Sequence, residues 1–210
     1  MKRISAVIFD CDGVMFDSLQ ANVNYYNHVL AHFDLPGMTD DDVAFVHSHT
    51  ADQSIRHIFR ETSLVEQAQV YRKHIDYTPF IKDMVMEPGL KELLKMLKPR
   101  YGLAVATNRS DTIGKVLESN GLTGFFDIVV SSLDVQNPKP HPESIYKILD
   151  YFQISPEQTI YVGDSLVDWQ TARAAEVTLV AYQNDELETP WKVKGLLEIQ
   201  ELLGNLETGC

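Results

Sequence analysis

Cysteine is nearly absent. Cys11 and Cys210 stand at opposite ends of 210 residues with no C-x-x-C spacing between them, which leaves no disulfide framework and reads as free thiols in a reducing cytoplasm. Positive charge is also scarce: 18 Lys and Arg stand against 30 Asp and Glu, for a formal net charge of −12. Nucleic acid and anionic membrane surfaces both reward clustered Lys and Arg, so neither is an expected partner. A metal cation or a small substrate is. No apolar run is long enough to span a membrane, and the run after Met1-Lys2-Arg3, which faintly imitates a signal peptide, ends at Asp10 with no small-residue cleavage site after it. There are no internal repeats and no low-complexity segments. The chain is instead rich in apolar residues, 44% of the total. That is enough for a packed core, either as one domain with a large insertion or as two modest domains.

The most informative stretch is Val7-Ile8-Phe9-Asp10-Cys11-Asp12-Gly13-Val14. An apolar run ends abruptly in two carboxylates one residue apart, and Gly13 then lets the backbone turn. Apolar residues on both faces suit a parallel strand covered on each side by helices, and such sheets bind ligands beyond the carboxyl ends of their strands. Cys11 lies between the acids, and strand alternation points its side chain away from them, into the core.

Residues 18–84 have a helical texture throughout, with Leu19, Val23, Tyr26, Val29, Leu30 and Phe33 at three- and four-residue intervals. Thr39 followed by Asp42, and Ser63 followed by Glu66, are expected helix starts. The aromatic residues Tyr25, Tyr26 and Phe45 read as this segment's own core. After it, helix and strand alternate. Helices are predicted over 89–97, 111–120, 142–152 and 165–172, with a last one over 191–203. Strands are predicted over 103–106, 125–130, 159–162 and 178–181. Such alternation predicts βαβ units and a mostly parallel sheet, an α/β core of Rossmann type in three α/β/α layers.

The strand ends deserve comparison. The first ends in Asp10 and Asp12, the second in Thr107-Asn108, and the fourth in Gly163-Asp164-Ser165 with Asp168 following. Taken singly, each reads as an ordinary cap or turn. Taken together, they place several carboxylates, a hydroxyl and an amide on one sheet edge. Carboxylates so close repel, and an all-oxygen donor set suits a hard cation, Mg²⁺ above Zn²⁺. Lys139, in the proline-rigidified Asn137-Pro138-Lys139-Pro140, supplies a further positive charge.

With these residues in this order, the chain resembles the haloacid dehalogenase-like hydrolases, in the phosphatase branch that includes phosphoglycolate phosphatases. Asp10-Cys11-Asp12-Gly13-Val14, Thr107-Asn108, Lys139 in its Lys-Pro-His-Pro setting and Gly163-Asp164-Ser165-Leu166-Val167-Asp168 carry the resemblance. It implies a catalytic core formed by 1–17 and 85–210 with a helical cap domain over 18–84. Asp10 would be the nucleophile and Asp12 the general acid and base. Thr107 and Lys139 would stabilise the transferring phosphoryl group. The metal ligands implied are the Asp10 carboxylate, the backbone carbonyl of Asp12 and Asp164, with Mg²⁺ as cofactor. Asp168 would orient Lys139 or a metal-bound water. Asp12 also separates reactions within the family, because dehalogenase and phosphonate-cleaving relatives lack an acid there. A sugar-phosphate mutase needs Asp12 too, although such relatives usually carry Glu-Asp where this chain has Gly163-Asp164.

Specificity is expected in the cap. Asp17 and Ser18 sit at the hinge, and Asp17, Asn108, Arg109 and His49 are the candidate substrate-binding residues. His47 and Arg56 are further cap candidates. Where similar phosphatases carry a glycine-containing substrate loop, this chain has Val46-His47-Ser48-His49-Thr50. The expectation is therefore a cytoplasmic Mg²⁺-dependent phosphatase, monomer or homodimer, acting on a small phosphorylated metabolite. A mutase of the same family and a non-catalytic binding or regulatory member are the alternatives.

Overall fold

Ala6, Val7, Ile8 and Phe9 are all fully buried. In the computed structural model, which describes residues 3–208, they form β1 (Ala6–Phe9). Val7 and Phe9 enter one apolar cluster, whereas Ile8 enters a second on the opposite face. A strand with no polar face must be clad on both sides, and the rest of the chain supplies the cladding.

After β1 the backbone turns tightly and forms β2 (Phe16–Asp17). The helices α1 (Leu19–His32), α2 (Asp40–Ser48), α3 (Ala51–Ile58), α4 (Val65–Arg72) and α5 (Thr78–Ile81) follow. The chain returns through β3 (Val85–Met86), which pairs antiparallel with β2, so the helical segment leaves and re-enters at one two-stranded ribbon. Then come α6 (Leu90–Leu97), β4 (Gly102–Ala106), α7 (Ile113–Ser119), β5 (Ile128–Val130) and α8 (Glu143–Phe152). A 3₁₀ turn, Pro156–Gln158, leads to β6 (Thr159–Gly163), α9 (Leu166–Ala174), β7 (Thr178–Tyr182), β8 (Lys192–Val193) and α10 (Glu198–Thr208).

Six strands form one parallel sheet in the order β5-β4-β1-β6-β7-β8. On one face α6, α7 and α10 pack through Leu93, Val116 and Ile199. On the other, α8 and α9 pack through Ile145, Ile148 and Ala172. This is the three-layer α/β fold expected from the alternation. Register then decides what the edge presents: Phe9 lies opposite Val105 on one side and Val162 on the other, so the ends of β1, β4 and β6 are level.

Several local expectations shift. Thr39 caps α2 in a reciprocal box with Asp42, as its spacing predicts, and Thr50 with Gln53 does the same for α3. Ser63 does not cap α4: Leu64 is the N-cap, and the Thr62 hydroxyl accepts from the Leu64 amide (3.1 Å) instead. The strand predicted over 125–130 shortens to Ile128–Val130, its extent of pairing with β4. The helix predicted over 191–203 is a strand followed by a helix, because residues 192–193 pair with β7 before α10 begins at Glu198. Cys11 is buried among apolar neighbours, as alternation predicts, and Cys210 lies outside the described residues.

Ile8→Ala should lower stability by about 2–5 kcal/mol, the usual cost of a cavity beneath a fully buried strand. A urea unfolding curve checks it, and an unchanged midpoint would contradict the two-faced core.

Candidate active site

The level strand ends gather charge in one cleft, lined among others by Asp10, Asp12, Thr107, Asn108, Arg109, Lys139 and Asp164. Asp10 follows β1 and its amide donates to Val162 O (3.0 Å), tying it to the neighbouring strand. Lys139 Nζ lies 2.9 Å from Asp10 Oδ1 and 2.7 Å from Asp168 Oδ1, with the lysine side chain 3% exposed. Lys139 also donates to the Tyr161 hydroxyl (2.8 Å), which donates in turn to Asp168 Oδ1 (2.6 Å). Asp168 Oδ2 accepts from the Ser165 hydroxyl (2.6 Å) and from the amides of Ser165 and Asp164. Both Asp168 oxygens are thus committed to the protein. Its capping box with Ser165 starts α9, so the residue that aims Lys139 also fixes a helix.

Among the described residues, no side chain donates to the Asp164 carboxylate in this way. That carboxylate sits so close to Gly13 that a Cβ there would fall 2.2 Å from Asp164 Oδ2, and Gly13 has φ +80°. Only glycine combines that backbone with that approach. Acidic oxygens of Asp10, Asp164 and Asp168 can all lie within 4.8 Å of one another. Burial pushes Asp10 up to about 7, against the pull of Lys139, with Asp168 and Asp12 adding repulsion. Burial and the charges of Asp168 and Asp10 push Asp164 up to about 8. Two carboxyls raised this far, Asp10 buried and Asp164 half-buried, with oxygen donors only, fit a hard divalent cation.

Asp12 has a different partner. Both its oxygens receive Arg109, Nε on Oδ2 at 3.1 Å and Nη2 on Oδ1. Burial raises the Asp12 carboxyl, but the Arg109 guanidinium outweighs it and holds it below the ordinary carboxylate range.

A model of the family described as haloacid dehalogenase-like hydrolase matches residues 7–182. The chain belongs to that family. It is 26% identical over 202 residues to a phosphoglycolate phosphatase of Salmonella typhi, covering 83% of this chain and 79% of that protein. It is 28% identical over 199 residues to the pyrophosphatase PpaX of Bacillus velezensis, covering 92% and 87%. A solved haloacid dehalogenase-superfamily hydrolase of Geobacter sulfurreducens shares 39% identity at a TM-score of 0.78, over 96% of this chain and 97% of that one. A β-phosphoglucomutase of Clostridium difficile shares the fold, at 20% identity and a TM-score of 0.80, over 96% and 98%. The chain is a phosphatase of this family.

Of the residues singled out by sequence, the structure brings Asp10, Asp12, Thr107, Asn108, Arg109, Lys139 and Asp164 to the cleft, with His47 and His49 on its helical wall. Asp168 stands behind them, fully buried. It does not bring Asp17 or Arg56 there. Asp17 is exposed and accepts from the Leu19 amide (3.1 Å) just before α1, while Arg56 is exposed and paired with Asp52 and Glu66. Arg109, a candidate substrate-binding residue by sequence, is buried on Asp12. Tyr25 and Tyr26 are core residues of the helical segment, as expected, and line the cleft as well. Sequence reasoning missed Tyr161 and Arg72. A hydroxyl two residues before Gly163 in an apolar strand was the available signal for the first, and Arg72 gave none.

The raised Asp10 and Asp164 values have a sign that can be checked. The folded protein keeps protons that the unfolded chain has released, so these groups make stability fall as pH rises from about 4 to about 8. A cation binds the ionised forms and offsets this. Mg²⁺ should therefore raise the melting temperature over an EDTA control by several degrees at about pH 8 and far less at about pH 5.5. Equal effects at both would contradict the site.

Proposed function

We propose that this phosphatase hydrolyses small phosphate monoesters through an aspartyl-phosphate on Asp10. The observation that carries the reading is the convergence of Asp10, Thr107, Lys139 and Asp164 from separate loops on one cleft. One Asp10 oxygen forms a bond to phosphorus while the bond from phosphorus to the leaving oxygen breaks, and Asp12, which must first leave Arg109 and take up a proton from solvent, gives that oxygen its proton. Asp12 then takes a proton from water, which attacks the same phosphorus and returns Asp10 as a carboxylate. This divides one difficult displacement into two. The Thr107 hydroxyl, which already accepts from the Arg109 amide (3.1 Å), would donate to a phosphoryl oxygen, and Lys139 would balance charge developing there. Asp168 and Tyr161 would hold the Lys139 ammonium in place.

Asp10, Asp164 and the backbone carbonyl of Asp12 would hold Mg²⁺, which when bound neutralises charge between an anionic nucleophile and an anionic ester. Residues 18–84 would act as a cap over the core formed by 1–17 and 85–210. Two bonds that support this run from Asn108 Nδ2 in the core to Ser48 O in the helical segment (3.3 Å) and from Lys115 Nζ to Asp76 Oδ1 (3.0 Å). The relatives' names suggest phosphoglycolate or pyrophosphate as substrates to try first. Among the described residues no helix is long and apolar enough to cross a membrane, and a cytoplasmic location is part of the proposal.

Asp10→Asn should abolish hydrolysis of p-nitrophenyl phosphate, by at least about a thousandfold, while leaving the melting temperature within a few degrees. An unaffected rate would sink the mechanism. Release of isomerised sugar phosphate in place of free phosphate would favour the mutase reading.

A further inference from the structure

Resting on the phosphatase reading, the geometry points to a second anion subsite built on Arg109, so that the preferred substrate is a phosphate ester whose leaving group carries a further negative charge. Arg109 follows Thr107 by two residues and its side chain is 6% exposed. Nε and Nη2 are both engaged by Asp12, Nη1 reaches Thr112 Oγ1 (3.3 Å), and the guanidinium lies over the Tyr77 ring at 5.1 Å. The ion pair therefore occupies both oxygens of the residue that must meet the leaving oxygen.

Asp12 cannot do so until the pair opens. Opening it leaves a guanidinium in a buried place without its carboxylate, which is costly unless another anion takes over. The walls around Arg109 offer cations and neutral groups for a substrate to meet: His47, His49 and Arg72 line the same cleft. Arg72 is tied by Nε to Gln69 Oε1 (2.6 Å), not to a carboxylate. Beyond Asp10, Asp12 and Asp164 on the core side, Asp111 is the further acid lining the cleft, and it is exposed. An anion on the leaving group, placed beyond the bond being cleaved, would draw Arg109 from Asp12 and so release the acid when the correct substrate arrives. An ester with a neutral leaving group offers Arg109 nothing in exchange. Arg109 is thus assigned as a specificity-determining residue that couples recognition to the availability of Asp12.

The test compares two esters of nearly equal size, 2-phosphoglycolate and 2-hydroxyethyl phosphate, which differ in a carboxylate against a hydroxymethyl group. With Mg²⁺ present, the intact protein should show kcat/KM about tenfold to a hundredfold higher for the first, the range of a buried charged hydrogen-bonded contact. Arg109→Gln should bring that ratio to within about threefold, and Arg109→Lys, which keeps the charge but not the fork, should fall between. Arg56→Gln, outside the cleft, should leave it unchanged. Binding of the same two esters to Asp10→Asn, measured by calorimetry, gives the ratio without turnover and guards against variants that fold poorly. A ratio near one in the intact protein, or a ratio unmoved by both Arg109 substitutions, would overturn the assignment. Release of phosphate from neither ester by the intact protein would overturn the underlying phosphatase reading, a result distinct from an altered ratio.

Discussion

Three carboxylates share one ammonium at the carboxyl edge of this sheet. Asp10, Asp164 and Asp168 can bring oxygens within 4.8 Å of one another, and Lys139 touches two of them. At an effective dielectric of about 20, each ionised pair at that range repels by about 3 kcal/mol. One lysine does not balance this. The excess falls unequally: Asp168 is held ionised by Lys139, Ser165 and Tyr161 against its burial, whereas Asp10 and Asp164 are pushed upward. This crowding is what the proposed Mg²⁺ would relieve.

Everything that brings the carboxylates together is ordinary folding. Strands without a polar face stack in register, their ends align, and each following loop delivers one functional group. Gly13 admits Asp164 to a distance no other residue would permit, and Ser165 binds Asp168 while starting α9. Chemistry and stability are therefore coupled at this edge: the residues that aim Lys139 are those that begin a helix and close a turn.

Much of this was legible in the sequence, for identifiable reasons. An apolar run that breaks into charge can be read without coordinates, and three such breaks in alternation with helices imply one edge. Thr39 with Asp42 could be read as a capping box because the motif is local. The T-x-x-Q of Thr50 and Gln53 had the same form and went unused. Long-range pairing was not legible. Nothing near residues 192–193 announces a strand, since its partner is β7. Tyr161 looks like one more apolar strand residue until Lys139 and Asp168 are placed around its hydroxyl. Arg109 carries the same difficulty in a sharper form, since it bonds a residue 97 positions away. Asp17 was misplaced because a hinge residue's direction depends on the ribbon formed by β2 and β3, which two-residue strands do not advertise.

The account depends on which carboxylate receives the phosphoryl group. Acid-quenching the enzyme during turnover with Mg²⁺ and a hydrolysed ester, then reducing with borohydride, converts an acyl-phosphate into the corresponding alcohol. Peptide mass spectrometry should find homoserine at position 10. Homoserine at position 12 or 164, or at no position under conditions of steady turnover, would contradict it.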